Sequence, residues 1–255
     1  MCGRFVITSA PEALRRLFGY IDQPNFPPRY NVAPTQPVPV VINKQGDRHF
    51  HLMRWGLIPA WVKDPRGFAL LINARAETVA DKPAFKNAIR RRRCLIPADG
   101  YYEWSQSDAR KRAYFIHARD DRPFGFAAIA ETWIGPDGEE LDTAAIITAA
   151  AGADLGVLHP RVPVTIAPDN FERWLDCSND DVERALPLLT APAAGEFAWH
   201  EVSSRVNSVA NDDGQLVLPL TAEEAAAEQA KSAKRGVPRK AAAAASHDDG
   251  QGSLF

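Results

Sequence analysis

The sequence predicts an α+β fold: one β-rich single domain, barrel-like or built on a curved sheet, with short peripheral helices. Three observations carry this expectation. Short runs of β-branched and aromatic residues, mostly bounded by Gly, Pro, Asp or Asn, recur through the first 220 residues. Helical patterns are few and brief. From Thr221 to Phe255 the chain is mainly Ala, Lys, Arg, Glu, Gly and Ser with no aromatic before its last residue, so it has little to bury. The expected organisation is a folded domain over 1–220 and a flexible low-complexity tail over 221–255, with transient helix in its alanine-rich parts.

Taken in order, Ser9 suits a helix N-cap, with Pro11 in the first turn of a helix reaching Leu17. Strands are expected at Val38 to Ile42 and His49 to Met53, followed by a helix over Lys82 to Arg91. Further strands follow at Arg93 to Ile96, Tyr101 to Trp104, Arg112 to His117, Pro123 to Ile129, Ala144 to Thr148 and Val162 to Ile166. Short helices at Asp169 to Leu175 and Asp180 to Leu186 complete the domain. No internal repeat is visible.

Composition narrows the class. With 255 residues, 45% hydrophobic and 24% charged, the chain is long enough to bury a substantial core. Apolar stretches are broken well short of the roughly 18–20 residues of a spanning helix, and no signal peptide opens the chain, so a cytoplasmic protein with no membrane partner is expected. The cysteines Cys2, Cys94 and Cys177 lack a C-x-x-C pairing, which suggests neither a disulfide framework nor a zinc site; no metal and no cofactor is implied. A net charge of −2 gives no global nucleic-acid footprint, so any such site must be local. Arg90 to Arg93 is the obvious basic cluster, equally compatible with a solvated helix end and with phosphate contacts.

Cys2 is the most informative residue. Methionine before so small a residue is expected to be trimmed, leaving an α-amine two carbons from a thiol. The amine titrates at roughly 7.7–8 and an ordinary thiol at roughly 8.5, so either becomes nucleophilic with a modest push. An aldehyde meeting this pair is trapped twice, first as an imine and then as a five-membered thiazolidine. The plainer alternative is a disordered terminus.

Several segments place polar groups among the strands where a core has no need of them: Tyr30-Asn31-Val32-Ala33-Pro34, Asn73-Ala74-Arg75-Ala76-Glu77, Gly100-Tyr101-Tyr102-Glu103-Trp104 and His159-Pro160-Arg161-Val162-Pro163. With Cys2-Gly3-Arg4-Phe5, Arg54-Trp55-Gly56-Leu57-Ile58-Pro59-Ala60-Trp61 and Val202-Ser203-Ser204-Arg205-Val206-Asn207, they run in a fixed order through essentially the whole body. In this respect the chain resembles the SOS-response-associated peptidase (SRAP) family of abasic-site-processing proteins. Val162 stands where that family often has methionine, a mild apolar exchange.

The resemblance implies a sensor of abasic sites in single-stranded DNA that crosslinks to them through Cys2, with nucleoid association when bound. Opening the closed sugar, forming the imine and expelling water all need proton carriers. Glu103, between Tyr102 and Trp104, is the first candidate, because desolvation by aromatic rings favours a protonatable carboxyl. His159 is the second, an imidazole being able to exchange protons near neutrality. Asn73 cannot exchange protons, but its amide both donates and accepts and suits orienting the amine or thiol of Cys2. Arg4, Arg75 and Arg161 would meet phosphates beside the lesion, and Trp61 and Trp104 would stack on neighbouring bases. Gly3 suits close backbone approach to DNA, and Asn31 joins the DNA-binding set through its motif. Each has a plainer reading: surface glutamate, structural histidine, turn asparagine, ion-pair arginine or core tryptophan, the last especially for Trp55.

An imine also acidifies the adjacent carbon, so β-elimination lyase activity is compatible with the same site, and peptidase activity is expected only on the protein's own N-terminus. Two rivals stay open. N-terminal-nucleophile cysteine amidohydrolases also begin Met-Cys-Gly, but usually continue with Ile or Val rather than Arg4. A non-covalent single-strand-binding module would keep the arginines and tryptophans and leave Cys2 without a purpose. Separately, Gln251-Gly252-Ser253-Leu254-Phe255 resembles the peptide by which bacterial proteins dock on the replication sliding clamp, with Gln251 at the rim and Leu254 and Phe255 in an apolar pocket.

Overall fold

The computed structural model describes residues 2–105, 111–178 and 182–235. In chain order the strands are β1 (Phe5–Ile7), β2 (Arg29–Val32), β3 (Pro37–Lys44), β4 (Asp47–Trp55), β5 (Asn73–Arg75), β6 (Arg93–Ala98), β7 (Gly100–Trp104), β8 (Ala113–Ala118), β9 (Phe124–Ile134), β10 (Glu140–Ala150), β11 (Arg161–Pro163), β12 (Thr165–Ile166) and β13 (Phe197–Val202). The α-helices are α1 (Pro11–Phe18), α2 (Lys86–Arg91), α3 (Phe171–Leu175) and α4 (Ala222–Arg235). The expected β-rich α+β architecture is the one observed.

Pairing closes one sheet on itself. Strand β10 bonds β4, β4 bonds β3, β3 bonds β6, β6 bonds β9, and β9 returns to β10, so these strands form a barrel. Closure removes the exposed edges that an open sheet would leave. Strand β5 extends the β10 ladder in parallel, from Ile146 opposite Asn73 to Thr148 opposite Arg75, and β11 pairs the end of β10 with Thr148 opposite Pro163. The β3–β4 hairpin turns through Gln45 and Gly46, both at positive φ, the pattern of a two-residue turn that suits the twist of its strands.

A second, antiparallel sheet runs β13-β8-β7-β1-β2. The chain enters it from the barrel at Asp99, between β6 and β7. Gly100 is required there, because a Cβ would lie 2.4 Å from the Phe115 ring. One face of this sheet packs on the barrel: Phe5 meets Trp55 and Phe126 at ring distances of 5.2 and 5.9 Å, and Tyr101 meets Phe126 and Phe197 at 6.0 and 6.4 Å. The opposite face carries Val6, Tyr102, Phe115 and Val202, covered by Val206 and Leu216 from the segment after β13.

Several local expectations need correction. Helix α1 is capped by Ala10, because Ser9 spends its N–H and hydroxyl on Asp99, which also takes the Thr8 N–H. The helix expected from Lys82 begins only at Lys86, and the one expected at Asp180 to Leu186 appears, among the described residues, as a turn and a 3-10 helix at Leu186–Leu188. The strand expected at Val162 to Ile166 is split at Val164, since β11 pairs β10 and β12 pairs β9. The arginine cluster is not uniformly solvated. Arg93 is buried and donates to the carbonyls of Ile89, Arg90, Trp174 and Asp176, tying the end of α2 to α3.

The residues from Thr221 onward form a separate unit. Its helix α4 is opened by a capping box: Thr221 Oγ1 accepts from the Glu224 N–H at 3.2 Å, and the Glu224 carboxylate accepts from the Thr221 N–H at 2.9 Å.

Candidate active site

The start of β1 is where the chemistry-bearing motifs converge. Phe5 pairs with Tyr101 and the Tyr102 N–H donates to the Arg4 carbonyl, so the antiparallel register carries Cys2 and Gly3 alongside Glu103 and Trp104. From the barrel side, Asn73 at the first position of β5 donates from Nδ2 to the Cys2 carbonyl oxygen at 2.8 Å. Three segments far apart in sequence thus meet at one residue. Cys2 is fully buried there rather than a loose terminus, and Gly3 is half-buried.

Burial, and after it the Glu103 carboxylate, push the Cys2 thiol well above its ordinary range, with the Arg4 backbone N–H opposing them. Such a thiol stays protonated until a base takes its proton. Glu103 is itself 5% exposed and lies on the barrel-facing side of the sheet, opposite Tyr114 on β8. Asn73 Oδ1 is buried without a hydrogen-bond partner among the described residues, an acceptor open to an incoming N–H.

Strand alternation sends Arg4 and Trp104 to the other face of the same sheet. The Arg4 guanidinium lies 6.0 Å from the Trp104 ring and donates to Asn31 Oδ1 at 2.7 Å and the Val206 carbonyl at 2.8 Å. Trp104 Nε1 donates to Asn207 Oδ1 at 2.8 Å. Asn31, expected at a DNA surface, is instead fully buried: its Nδ2 donates to the carbonyls of Ser208 and Asn211 at 3.0 and 2.7 Å. Its amide is spent on holding the segment after β13 against β2, so it positions Arg4.

His159 and Arg161 arrive from beyond β10. Arg161 donates to both oxygens of Glu77, at 2.5 and 3.0 Å, to Thr148 Oγ1 at 3.2 Å and to the Thr148 carbonyl. Thr148 in turn donates to the Ala74 carbonyl at 3.4 Å, which places this loop beside β5. His159 Nδ1 is 3.0 Å from the Arg161 nitrogen and 3.1 Å from its carbonyl oxygen. A neutral ring accepts from that N–H and an imidazolium donates to that carbonyl, so the backbone serves either protonation state.

The Arg75 side chain is exposed and makes no hydrogen bond or ion pair to the described residues, leaving its guanidinium open to an anion. Trp61 stands apart: it is 59% exposed on the loop after β4, edge-on to Phe68 at 5.6 Å, above a small cluster of Ile58, Val62 and Trp133. Trp55 is core, its Nε1 bonded to the Ile72 carbonyl. Sequence reasoning passed over Glu77, Thr148 and Asn207, which hold Arg161 and Trp104. Glu77 follows Arg75 closely and Asn207 follows Arg205, but only packing brings Glu77 to Arg161 and Asn207 to Trp104. Gln251, Leu254 and Phe255 lie outside the described residues. Among those described, no group of three or more His, Cys, Asp or Glu is placed to hold a metal, and no helix is long and apolar enough to cross a membrane.

The SOS response associated peptidase (SRAP) family model matches residues 1–209. Similar proteins include the abasic site processing proteins YoqW of Bacillus subtilis (strain 168), 35% identical over 85% of this chain and 99% of its own, and YedK of Escherichia coli (strain K12), 33% identical over 86% and 100%. HMCES of Gallus gallus is 31% identical over 86% of this chain and 78% of its own. A Bacteroides thetaiotaomicron crystal structure shares the fold with a TM-score of 0.76 at 24% identity, covering 86% of this chain and 100% of that one. Cys2, Asn73, Glu103, His159 and their surrounding motifs therefore sit within a match that spans the folded body, and the chain belongs to the SRAP family.

Proposed function

We propose that this protein processes abasic sites in single-stranded DNA by forming a covalent thiazolidine crosslink through Cys2. The observation that carries the reading is the meeting of Asn73 and Glu103 at Cys2, which gives an N-terminal aminothiol an amide to orient it and a carboxyl to move its protons. The names of the similar proteins support the substrate class.

After removal of Met1, the free amine of Cys2 attacks the C1 aldehyde of the opened sugar to give a carbinolamine. Loss of water, with the proton supplied from Glu103, leaves the protonated imine, its N–H retained. The thiol then adds across the C=N bond: sulfur bonds the carbon, Glu103 takes the thiol proton, and the nitrogen ends as a secondary amine. His159 carries protons in ring opening and in reversal. Arg75 and Arg161 face the phosphates, with Arg4 held against Trp104 behind the strand. Release of the proton next to the imine carbon would instead eliminate the 3′ phosphate, which gives lyase activity as a side path. Peptidase activity is confined to removal of Met1. The C-terminal peptide with Leu254 and Phe255 tethers the protein to the sliding clamp; deleting both residues abolishes co-elution with the clamp, and unchanged co-elution refutes this part.

The test is an oligonucleotide bearing one abasic site, incubated with protein whose N-terminus has been verified by mass spectrometry. A heat-stable shifted band that disappears in Cys2→Ser is expected. Glutamine hydrolysis without a band would favour an amidohydrolase, and reversible binding alone a single-strand-binding module.

A further inference from the structure

Tyr101 is a buried phenol with no assigned work. Its ring is 1% exposed and packs edge-on against Phe126 and Phe197, as a core phenylalanine would. Its hydroxyl, however, is buried with no hydrogen-bond partner among the described residues. Interiors rarely leave a hydroxyl so, because the desolvated donor loses its water and gains nothing in return. Phenylalanine would fill the same space without that loss.

Tyr101 stands on the strand face that also carries Glu103. Tyr101 pairs with Phe5 and precedes Glu103 by two residues, so both project from the same face of β7. After burial, the groups that act most strongly on the phenol are Cys2, then Glu103, then Asp154. Burial, and the Glu103 and Asp154 carboxylates after it, hold it in its neutral, protonated form, a hydrogen-bond donor.

We propose that the Tyr101 hydroxyl is a further catalytic group, donating a hydrogen bond to the oxygen of the sugar aldehyde as the Cys2 amine attacks it. As the N–C bond forms, the carbonyl electron pair moves onto that oxygen, and a fixed donor in a dry site stabilises the charge where it develops. The phenol keeps its proton throughout. Glu103 completes the proton transfers, so no other reactant is needed. The proposal rests on the abasic-site reading of this pocket and adds to it the residue that meets the carbonyl oxygen.

The experiment compares wild type with Tyr101→Phe on three readouts: the single-turnover rate of crosslinking at saturating abasic DNA, the affinity for DNA carrying a stable tetrahydrofuran in place of the abasic sugar, and the melting temperature. Tyr101→Phe should crosslink at least about tenfold more slowly. Its affinity for the tetrahydrofuran strand, which has no aldehyde oxygen, should stay within twofold, and its melting temperature should hold or rise. A rate within about twofold of wild type overturns the assignment. So does a slower rate accompanied by a lower melting temperature and weaker tetrahydrofuran binding, which would mark a packing role. Wild-type protein that forms no crosslink would instead sink the reading of the pocket, and the assignment with it.

Discussion

Both carboxylate oxygens of Glu77 grip the Arg161 guanidinium, at 2.5 and 3.0 Å. Glu77 follows the β5 strand that carries Asn73 and Arg75, whereas Arg161 opens β11 and holds His159 through its backbone. This ion pair therefore joins the two halves of the pocket, one bearing the amide that anchors Cys2 and the other bearing the histidine.

Glu77→Gln should slow crosslinking more than it destabilises the fold. The Glu77 side chain is 49% exposed, so the pair is worth at most about 1 kcal/mol in urea unfolding. Hydrogen bonding to Arg161 holds the Glu77 carboxyl below its ordinary value, so its contribution is present above about pH 4.5 and is lost as pH falls through the lowered pKa. Urea midpoints for wild type and Glu77→Gln should accordingly converge toward the acid end; a constant gap from pH 7 to pH 3 refutes the linkage.

Asn73→Asp should shift the pH dependence of crosslinking upward. The substitution removes the donor to the Cys2 carbonyl and sets a negative charge beside the amine, which favours ammonium. Crosslinking should be slow at pH 7 and partly restored near pH 9. An unshifted profile with a uniformly lower rate would mean that Asn73 acts through geometry alone.

Arg75→Ala should weaken binding to single-stranded DNA without affecting stability, because the Arg75 side chain is exposed and makes no polar contact with the described residues. If it neutralises one phosphate, the slope of log K against log salt should fall by about 0.7. An unchanged slope would remove Arg75 from the interface.

Arg93→Ala should cost at least about 3 kcal/mol, since it strips a buried cation from the carbonyls of Ile89, Arg90, Trp174 and Asp176. Arg90→Ala, on the exposed side of the same run, should stay within about 0.5 kcal/mol. Equal effects in denaturant would contradict the placement of Arg93.

Phe5→Ala should cost about 3–5 kcal/mol, because the ring fills the space between Trp55 and Phe126 where the sheet meets the barrel. It should also reduce crosslinking at temperatures where the fold persists, by loosening the strand that presents Cys2. Full activity in a destabilised variant would separate packing from positioning.

Local patterning was enough to read the β-rich class, the longer strands from β3 through β10 and the break in composition at Thr221, and it singled out Cys2 as the candidate nucleophile. These are legible because alternation, turn residues and composition are local properties of the chain. It did not reveal β1, β2, β5 or β13. The first three are only three or four residues long and exist because partners distant in sequence complete their hydrogen bonds. Tertiary packing alone puts Arg4 and Glu103 on opposite faces of one sheet, spends Asn31 on the segment after β13, sets Glu77 against Arg161 and leaves the Tyr101 hydroxyl without a partner among the described residues. Periodicity fixes which neighbours share a face of a strand, but which groups meet across that face depends on closing the chain over scores of residues, and no local pattern encodes that closure.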